Sequence, residues 1–546
     1  MRTPSLALAT ACTLAGSMAH AQAVPGSPTG LLIDQGRQAA EHPTPGRAAR
    51  LATDVPDHVT SVSAGAGSGN TIRSVRFDGV EAPARVAEAA RPFLGRPAST
   101  ENLKALADAL SDAYGHSSVA LYTVAIPAQD MADGTLHVRI AEGFIEQAIV
   151  TGDVGKSSVA LVKRYAKILA VERPLTKRSL QRYLSLIRDI PGLTVDARLL
   201  RGDRPGGVKL VLILKQRPYD LALSFDNQSQ QQLSDGEFQA VGKLYGTLRP
   251  GDETDLTVAA ASNFKAFQYG NLTHSTPIGA GGTRATVSVA HLATRTRHTH
   301  IKGDADIASI GLSHPLVRSY KRNLTLSASV DAVNSDNAVL GSLVARERTR
   351  AARAAAIFSD VGDKHVLSGS LIVSRGLDIA GADTRRTLAN PRFTKINGTL
   401  SLSRTLGKRV VARLKAAAQW SDDPLPAVER FLVGGTDYGR AFPVATLAAD
   451  RGAAGSAELA WKPAVSKAFA NSELYLFGDR AGVRYLARGP IPAASYDLAS
   501  AGGGMRLAFR DKGELDLEAA RRIDRPYPGF SRDWQINVAW RLSFAR

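Results

Sequence analysis

From about residue 218 to the C-terminus the sequence alternates, segment after segment, between apolar and polar residues, and no other feature restricts the fold as much. Leu324, Leu326, Ala328 and Val330 alternate with Thr325, Ser327 and Ser329. Ile396, Gly398, Leu400 and Leu402 alternate with Asn397, Thr399, Ser401 and Ser403, and Ala412, Leu414, Ala416, Ala418 and Trp420 alternate with Arg413, Lys415 and Gln419. The terminal segment sets Trp534, Ile536, Val538, Trp540, Leu542 and Phe544 against Gln535, Asn537, Ala539, Arg541 and Ser543. A period of two is that of a strand. Strands with one apolar and one polar face suit either a soluble sandwich or a membrane barrel with lipid outside and water inside.

Three features favour the barrel. Met1-Arg2, an apolar run from Leu6 to Leu14, and small residues ending in Ala19-His-Ala21 or Ala21-Gln-Ala23 form a secretory signal peptide over residues 1–23. The terminal segment runs unbroken for the roughly nine to eleven residues that a tilted membrane strand needs. Its aromatic ends, Trp534 and Phe544, match the girdles that sit at membrane interfaces. At about twenty residues for each strand and loop, residues 218–546 predict an all-β transmembrane barrel of about sixteen antiparallel strands. No stretch of about eighteen apolar residues follows the signal, so helical membrane spans are not expected.

The region between signal and barrel has a different texture. Residues 24–69 are rich in Pro, Ala, Gly and Ser and read as linker, with one short helical candidate from Leu31 to Glu41. The cluster Gly65-Ala-Gly-Ser-Gly69 precedes a strand and carries no lysine, so it is linker and not a phosphate loop. Residues 70–144 read as a small α+β module. Its strand holds Ile72, Val75 and Phe77, its helices span 82–94 and 99–114, and two further strands run Ala120–Ile126 and Leu136–Ile140. Residues 145–217 repeat the order, with strands at Phe144–Val150, Leu193–Leu200 and Val208–Leu214 and helices at 156–170 and 176–189.

Composition removes several function classes. The formal charge of +18 is spread along the chain with no dense Lys/Arg block, which argues against nucleic acid as a partner. The single cysteine, Cys12, lies in the signal, so disulfides and thiolate metal sites are not expected. No P-loop, G-x-S-x-G elbow or H-E-x-x-H motif occurs, and no cofactor is implied. His298 and His300 lie two apart, as ligands on a strand can, but without a third ligand they read as part of a polar loop.

One loop stands out in the barrel region: Phe431-Leu-Val-Gly-Gly-Thr-Asp-Tyr-Gly-Arg-Ala-Phe-Pro443. Gly434 and Gly435 permit backbone angles closed to other residues, and the proline stops any regular element. Some forty residues on, Asp479 interrupts the strand-like run Leu474-Tyr-Leu-Phe-Gly-Asp-Arg-Ala-Gly482. A guanidinium and a carboxylate form a two-bond pair that lysine does not reproduce. Arg440 and Asp479 are therefore expected to meet inside the barrel.

At this point the chain resembles a known family, the two-partner secretion transporters of the haemolysin secretion/activation type. These belong to the wider superfamily that joins POTRA modules to an outer-membrane barrel. The resemblance rests on order and spacing over nearly the whole chain after the signal. Tyr114-Gly115, Pro127-x-Gln129-Asp130, Gly134-x-Leu136-x-Val138 and Glu142-Gly143 resemble the first POTRA domain, and Asp189-Ile-Pro191-Gly192-Leu193 resembles the second. Asp226-Asn227, Gly251-Asp252, His314-Pro315-Leu316, Asp450-x-Gly452 and Glu458-Leu459 are in register with the family's barrel. Gly439-Arg440-Ala441-Phe442 resembles a loop that the family usually writes Val-Arg-Gly-Phe/Tyr, with alanine in place of the second glycine.

The resemblance implies an outer-membrane protein with its POTRA modules in the periplasm. It would export one large exoprotein (an adhesin, haemolysin or toxin) that carries an N-terminal secretion domain, in unfolded form and without nucleotide. It implies contact with outer-membrane lipid and action as a monomer. Arg440, Phe442, Gly434 and Gly435 would form the transport loop, and Phe477, Asp479 and Gly482 its station on the wall. Gln129, Asp130, Gly134, Glu142 and Gly143 would belong to the client-binding region, and the helix at 31–41 would be a plug. The competing expectation is a factor that inserts other barrels, whose relatives usually carry three or more POTRA modules where this chain has room for two.

Overall fold

The computed structural model describes residues 52–53, 58–63 and 70–545, except 155, 229–234, 297–300, 340–341, 385–388, 470, 511, 528–530 and 532. The predicted signal, the helix at 31–41, the Gly65–Gly69 cluster and the pair His298 and His300 lie outside these residues. The chain divides into two compact units, residues 49–216 and, apart from a short stretch at 318–320, the barrel region from Arg217 onward.

The first unit opens with two strands, β1 (Ala52–Thr53) and β2 (His58–Val62), followed by β3 (Ser74–Asp78), α1 (Ala84–Ala90), α2 (Thr100–Gly115), β4 (Tyr122–Ile126) and β5 (Thr135–Glu142). Then come β6 (Phe144–Asp153), α3 (Lys156–Val171), α4 (Lys177–Arg188), β7 (Leu193–Arg201) and β8 (Gly207–Gln216). They form two sheets, ordered β2-β4-β5-β3 and β1-β7-β8-β6. The β-α-α-β-β order read from the sequence is present in both modules. The linker reading is corrected over residues 52–53 and 58–62, because β1 and β2 add a fourth, parallel strand to each sheet. So short a strand has no periodicity to detect. It exists because a neighbouring edge supplies its hydrogen bonds.

Within the first module, α2 starts where the sequence placed it. The Ser99 hydroxyl accepts from the Asn102 amide at 3.2 Å, which satisfies one of the free donors of the first turn. Leu103, Leu106, Ala107, Leu110 and Tyr114 recur on one face and are buried with Val124, Leu136 and Val138. Tyr114 stacks on Tyr122 and donates its hydroxyl to Glu142. Burial, together with the Glu142 charge, pushes the Tyr114 phenol above its usual range, so it remains a donor.

In the second unit sixteen strands, among the described residues, form a closed antiparallel barrel. β9 (Tyr219–Asp226) pairs with Glu237–Tyr245 on one side and with the terminal strand Trp534–Ala545 on the other, which closes the ring. The alternation read from the sequence divides inside from outside. Leu326, Val330, Leu414, Trp420, Trp534 and Phe544 are between 43% and 59% exposed. Arg353, Lys395, Gln419, Asp479 and Glu518, on alternating positions, are buried inside the wall. A soluble sandwich would bury the first set, so the apolar belt is the lipid face of a membrane barrel. No helix among the described residues is long and apolar enough to cross a membrane.

Candidate functional site

Between the barrel strands Val410–Ser421 and Arg451–Trp461 the chain folds inward instead of turning back directly. A 3-10 turn at Ala427–Glu429 leads into a small antiparallel ribbon, Phe431–Val433 with Leu447–Ala449, and Gly434 to Thr446 forms its tip. Phe431, Val433, Ala441 and Phe442 pack on Tyr475, Phe477, Leu498 and Ala520 of the wall. Val428, Val444, Ala445 and Ala448 pack on Ala259, Phe267, Leu292 and Val333. The loop therefore reaches wall strands from both halves of the barrel sequence and fills space that would otherwise hold water.

The glycines make this shape possible. Gly434 and Gly435 have φ of +107° and +105°, and a Cβ on Gly434 would lie 2.3 Å from the Pro443 carbonyl oxygen. Gly439, at +78°, passes so close to Leu498 that a Cβ would meet its Cδ1 at 2.8 Å. Ala441 is not among the residues with positive φ, so alanine fits where the family usually has glycine.

The expected guanidinium–carboxylate pair between Arg440 and Asp479 is corrected. Asp479 Oδ1 accepts the Gly439 amide at 2.7 Å and Oδ2 accepts the Arg440 amide at 3.3 Å and the Ser500 hydroxyl at 2.6 Å. The aspartate thus holds the loop by its backbone. The long arginine side chain carries its charge past that point. Nη1 donates to Glu458 at 3.0 Å, Nη2 donates to Glu518, and the guanidinium lies 3.8 Å from the centre of the Phe477 ring. Asn537 Nδ2 donates to the Arg440 carbonyl at 3.0 Å and also to Glu518. Arg522 Nε donates to the Ala441 carbonyl at 2.9 Å and its guanidinium sits 5.6 Å from the Phe442 ring. Gly482 lies on the same strand as Asp479, where a Cβ would meet Asp497 Oδ1 at 2.7 Å.

Around Arg440 the wall carries more charge than the sequence reading assigned. Arg413 and Arg506 both bind Glu458 and Glu473, Arg506 also binds Asp516, and the single hydroxyl proton of Tyr475 is shared between Asp516 at 2.7 Å and Glu518 at 3.0 Å. Three guanidinium groups thus face four carboxylates, counted over these pairs and Arg440. The signal for the acidic side was present: Glu514, Asp516 and Glu518 alternate with Leu515 and Leu517, which puts all three carboxylates on the luminal face of Gly513–Asp524.

The root of the loop is tied separately, at residues the sequence reading did not single out as site residues. Glu429, fully buried, binds Arg353 at 2.6 Å and Lys395 at 2.8 Å, and Arg353 reaches Asp331 and Ser374. Its carbonyl accepts from Lys395 and from Gln419, each at 3.0 Å. Asp450, also fully buried, accepts the Leu425 and Leu486 amides at 2.7 Å each and binds Arg488.

In the first module the five expected client-binding residues separate by role. Gln129 closes the β4–β5 connection by bonding the His137 amide at 2.7 Å and carbonyl at 2.8 Å. Gly134 takes a turn at φ +76°, and Glu142 accepts from Tyr114. Gly143 bonds Leu121 and Leu175 and so joins the two modules. Of the five, Asp130 is the one classed as exposed. Among the described residues, one group has metal-ligand spacing, the exposed set His291, Asp304 and Asp306.

Comparison with known proteins places this geometry. Residues 208–507 match the family described as haemolysin secretion/activation protein ShlB/FhaC/HecB, and residues 70–143 match the POTRA domain of ShlB type. The chain is similar to the outer membrane transporter CdiB of Escherichia coli O6:K15:H31, 23% identical over 486 residues that cover 83% of this chain and 78% of that one. It is also similar to the heme/hemopexin transporter protein HuxB of Haemophilus influenzae, 20% identical over 452 residues and 79% of each chain. The solved structure of CdiB from Escherichia coli has the same fold, with a TM-score of 0.75 at 19% identity over 94% of this chain and 97% of that one. With over half of its length matched by one family, the chain belongs to the haemolysin secretion/activation proteins, the outer-membrane two-partner secretion transporters whose POTRA modules lie in the periplasm.

Proposed function

We propose that this transporter passes one large exoprotein through its barrel in unfolded form, and that the loop from Phe431 to Pro443 must leave its luminal station for the client to pass. The observation that carries this is the occupation of the lumen by a loop whose tip is held by ion pairs to a charged wall. A client chain needs the space the loop fills. A polar lumen supplies it with a route that lipid does not. No nucleotide is used, since the client's folding outside makes the passage irreversible. The client is a haemolysin, adhesin or toxin with an N-terminal secretion domain, in keeping with membership of the haemolysin secretion/activation family.

In this reading the first POTRA module recognises the client as an added strand, with Gln129, Gly134, Glu142 and Gly143 shaping the module and Asp130 at its surface. The apolar belt sits in outer-membrane lipid, and a barrel closed by one chain works as a monomer. The test is secretion of a large exoprotein, where one is encoded beside this protein, from cells carrying wild type, Arg440→Ala, or a deletion of residues 72–143. Barrel folding is checked by heat-modifiable gel mobility. Loss of the exoprotein from the medium with the barrel still folded is the expected result. Normal secretion with a fall in other outer-membrane proteins would replace this reading with that of a barrel-assembly factor.

A further inference from the structure

The edge of β4, in the first POTRA module, is already occupied by the chain's own β2. The two strands run parallel, from His58 opposite Tyr122 to Val62 opposite Ile126. Beyond its backbone ladder to β4, two of the described β2 side chains face the module. Thr60 donates its hydroxyl to Ser111 on α2 at 2.9 Å, and Val62 packs, half-buried, against the module's core. Val59 is 40% exposed and Ser61 is exposed.

β4 differs in every respect. Tyr122, Val124 and Ile126 are buried, and the strand pairs antiparallel with β5 on its other side. It is a firm template with a loosely seated occupant. A bare edge would leave amide and carbonyl groups unpaired, so one strand is more readily replaced by another than removed. An antiparallel newcomer would also pair somewhat better per residue than the parallel β2.

We infer that β2 is a resident placeholder, and that an extended segment of the exported client takes its place on β4 by strand exchange. This rests on the exporter reading above and adds where the client docks and what it displaces. The seat specifies the client's chemistry: an extended segment that places a small hydroxyl-bearing residue where Thr60 lies and a β-branched apolar residue where Val62 lies, the apolar residue coming two positions earlier in a client that runs antiparallel to β4. β1 belongs to the same stretch of chain and caps β7 of the second module opposite Arg198 and Leu199. Displacing β2 therefore loosens the cap on the second sheet as well.

The test is a disulfide across the seat. Thr60→Cys with Ser111→Cys puts two thiols where two hydroxyls now touch, and the sequence's single native cysteine, Cys12, lies in the predicted signal. Full-length protein is produced in cells that export the epitope-tagged neighbouring exoprotein, and the disulfide is scored by thiol trapping. The oxidised double variant is expected to lose secretion at least tenfold, with recovery to within twofold of wild type when reductant is added. Each single variant, which cannot close the disulfide, sets the baseline against which the oxidised double variant is scored. Wild-type secretion from the oxidised double variant would overturn the inference. As a second readout, a photo-crosslinking residue at Thr123 on β4 should trap the client in wild type and fail to do so in the oxidised variant. Equal trapping in both, or none in a secreting wild type, would also overturn it. If wild type itself exports nothing, it is the exporter reading that fails.

Discussion

Removing the Arg440 side chain is the most direct perturbation of the loop's station. Arg440→Ala deletes the bonds to Glu458 and Glu518 and the stacking on Phe477. Glu458 keeps Arg413 and Arg506, so its charge stays compensated. Among the described residues, Glu518 then keeps the neutral donors Asn537 and Tyr475. Breaking one partner out of a buried ion pair costs about 3–5 kcal/mol, mostly through the charge left behind. With one of the two carboxylates still paired, the lower end applies, about 3 kcal/mol. That is roughly a hundredfold shift toward the undocked loop. The reporter is Val444→Cys, at a loop position that is fully buried when the loop is docked. Its labelling by a membrane-impermeant maleimide measures the undocked fraction. Arg440→Ala should raise the labelling rate about a hundredfold. Adding Glu518→Gln, which removes the stranded charge, should bring it back by about tenfold. Labelling of Arg440→Ala at the wild-type rate would refute the claim that this arginine docks the loop. Equal rates in the single and double variants would refute Glu518 as its partner.

Three further outcomes follow from other parts of the barrel. Glu429→Ala strands Lys395 and leaves Arg353 with Asp331 alone as an ionic partner, so the folded barrel should lose about 3–5 kcal/mol, read as a lower temperature for the heat-modifiable gel shift. Gly434→Ala forces a Cβ against the Pro443 carbonyl at positive φ; a strain of about 1–3 kcal/mol should raise Val444→Cys labelling while the barrel stays closed. Val330→Arg places a charge on the lipid face and should cost barrel assembly about 2–4 kcal/mol if near the midplane, whereas Ser327→Lys on the luminal face should assemble at wild-type levels.

The barrel was legible because its signal is long and redundant. Each strand repeats the same two-residue period, and lipid outside and water inside make that period obligatory. The module helices were legible for a similar reason, since Leu103, Leu106, Leu110 and Tyr114 share one face of α2. β1 and β2 were not legible. Two and five residues carry no period, and their existence depends on the free edges of β7 and β4, which lie about sixty residues or more further along the chain. The site was half legible. Glycines, a lone arginine and an inward aspartate mark a loop that docks on a wall, and Gly434, Arg440 and Asp479 all contribute to that docking. The pairing was not legible, because a sequence gives a residue's charge and not the direction of its side chain. Asp479 is short and meets the backbone, while Arg440 is long and reaches two other strands.

That division of labour bears on how such a loop can be both secure and releasable. The two amide bonds to Asp479 and the two ion pairs of Arg440 are directional, and all of them have substitutes in water once the loop leaves. Ion pairs give only modest net stability over their hydrated parts, so on the exporter reading the docked tip is favoured by only about 3 kcal/mol, enough to hold the loop and little enough for a client to overcome. The root is built otherwise. Glu429 and Asp450 are fully buried and are held by Arg353, Lys395 and Arg488 from three different wall segments or turns, together with backbone amides. Undoing them would strand several charges at once in the barrel wall. On that reading the hinge lies between Glu429 and the ribbon Phe431–Val433, and a client that displaces the tip would leave the anchor intact for the loop's return.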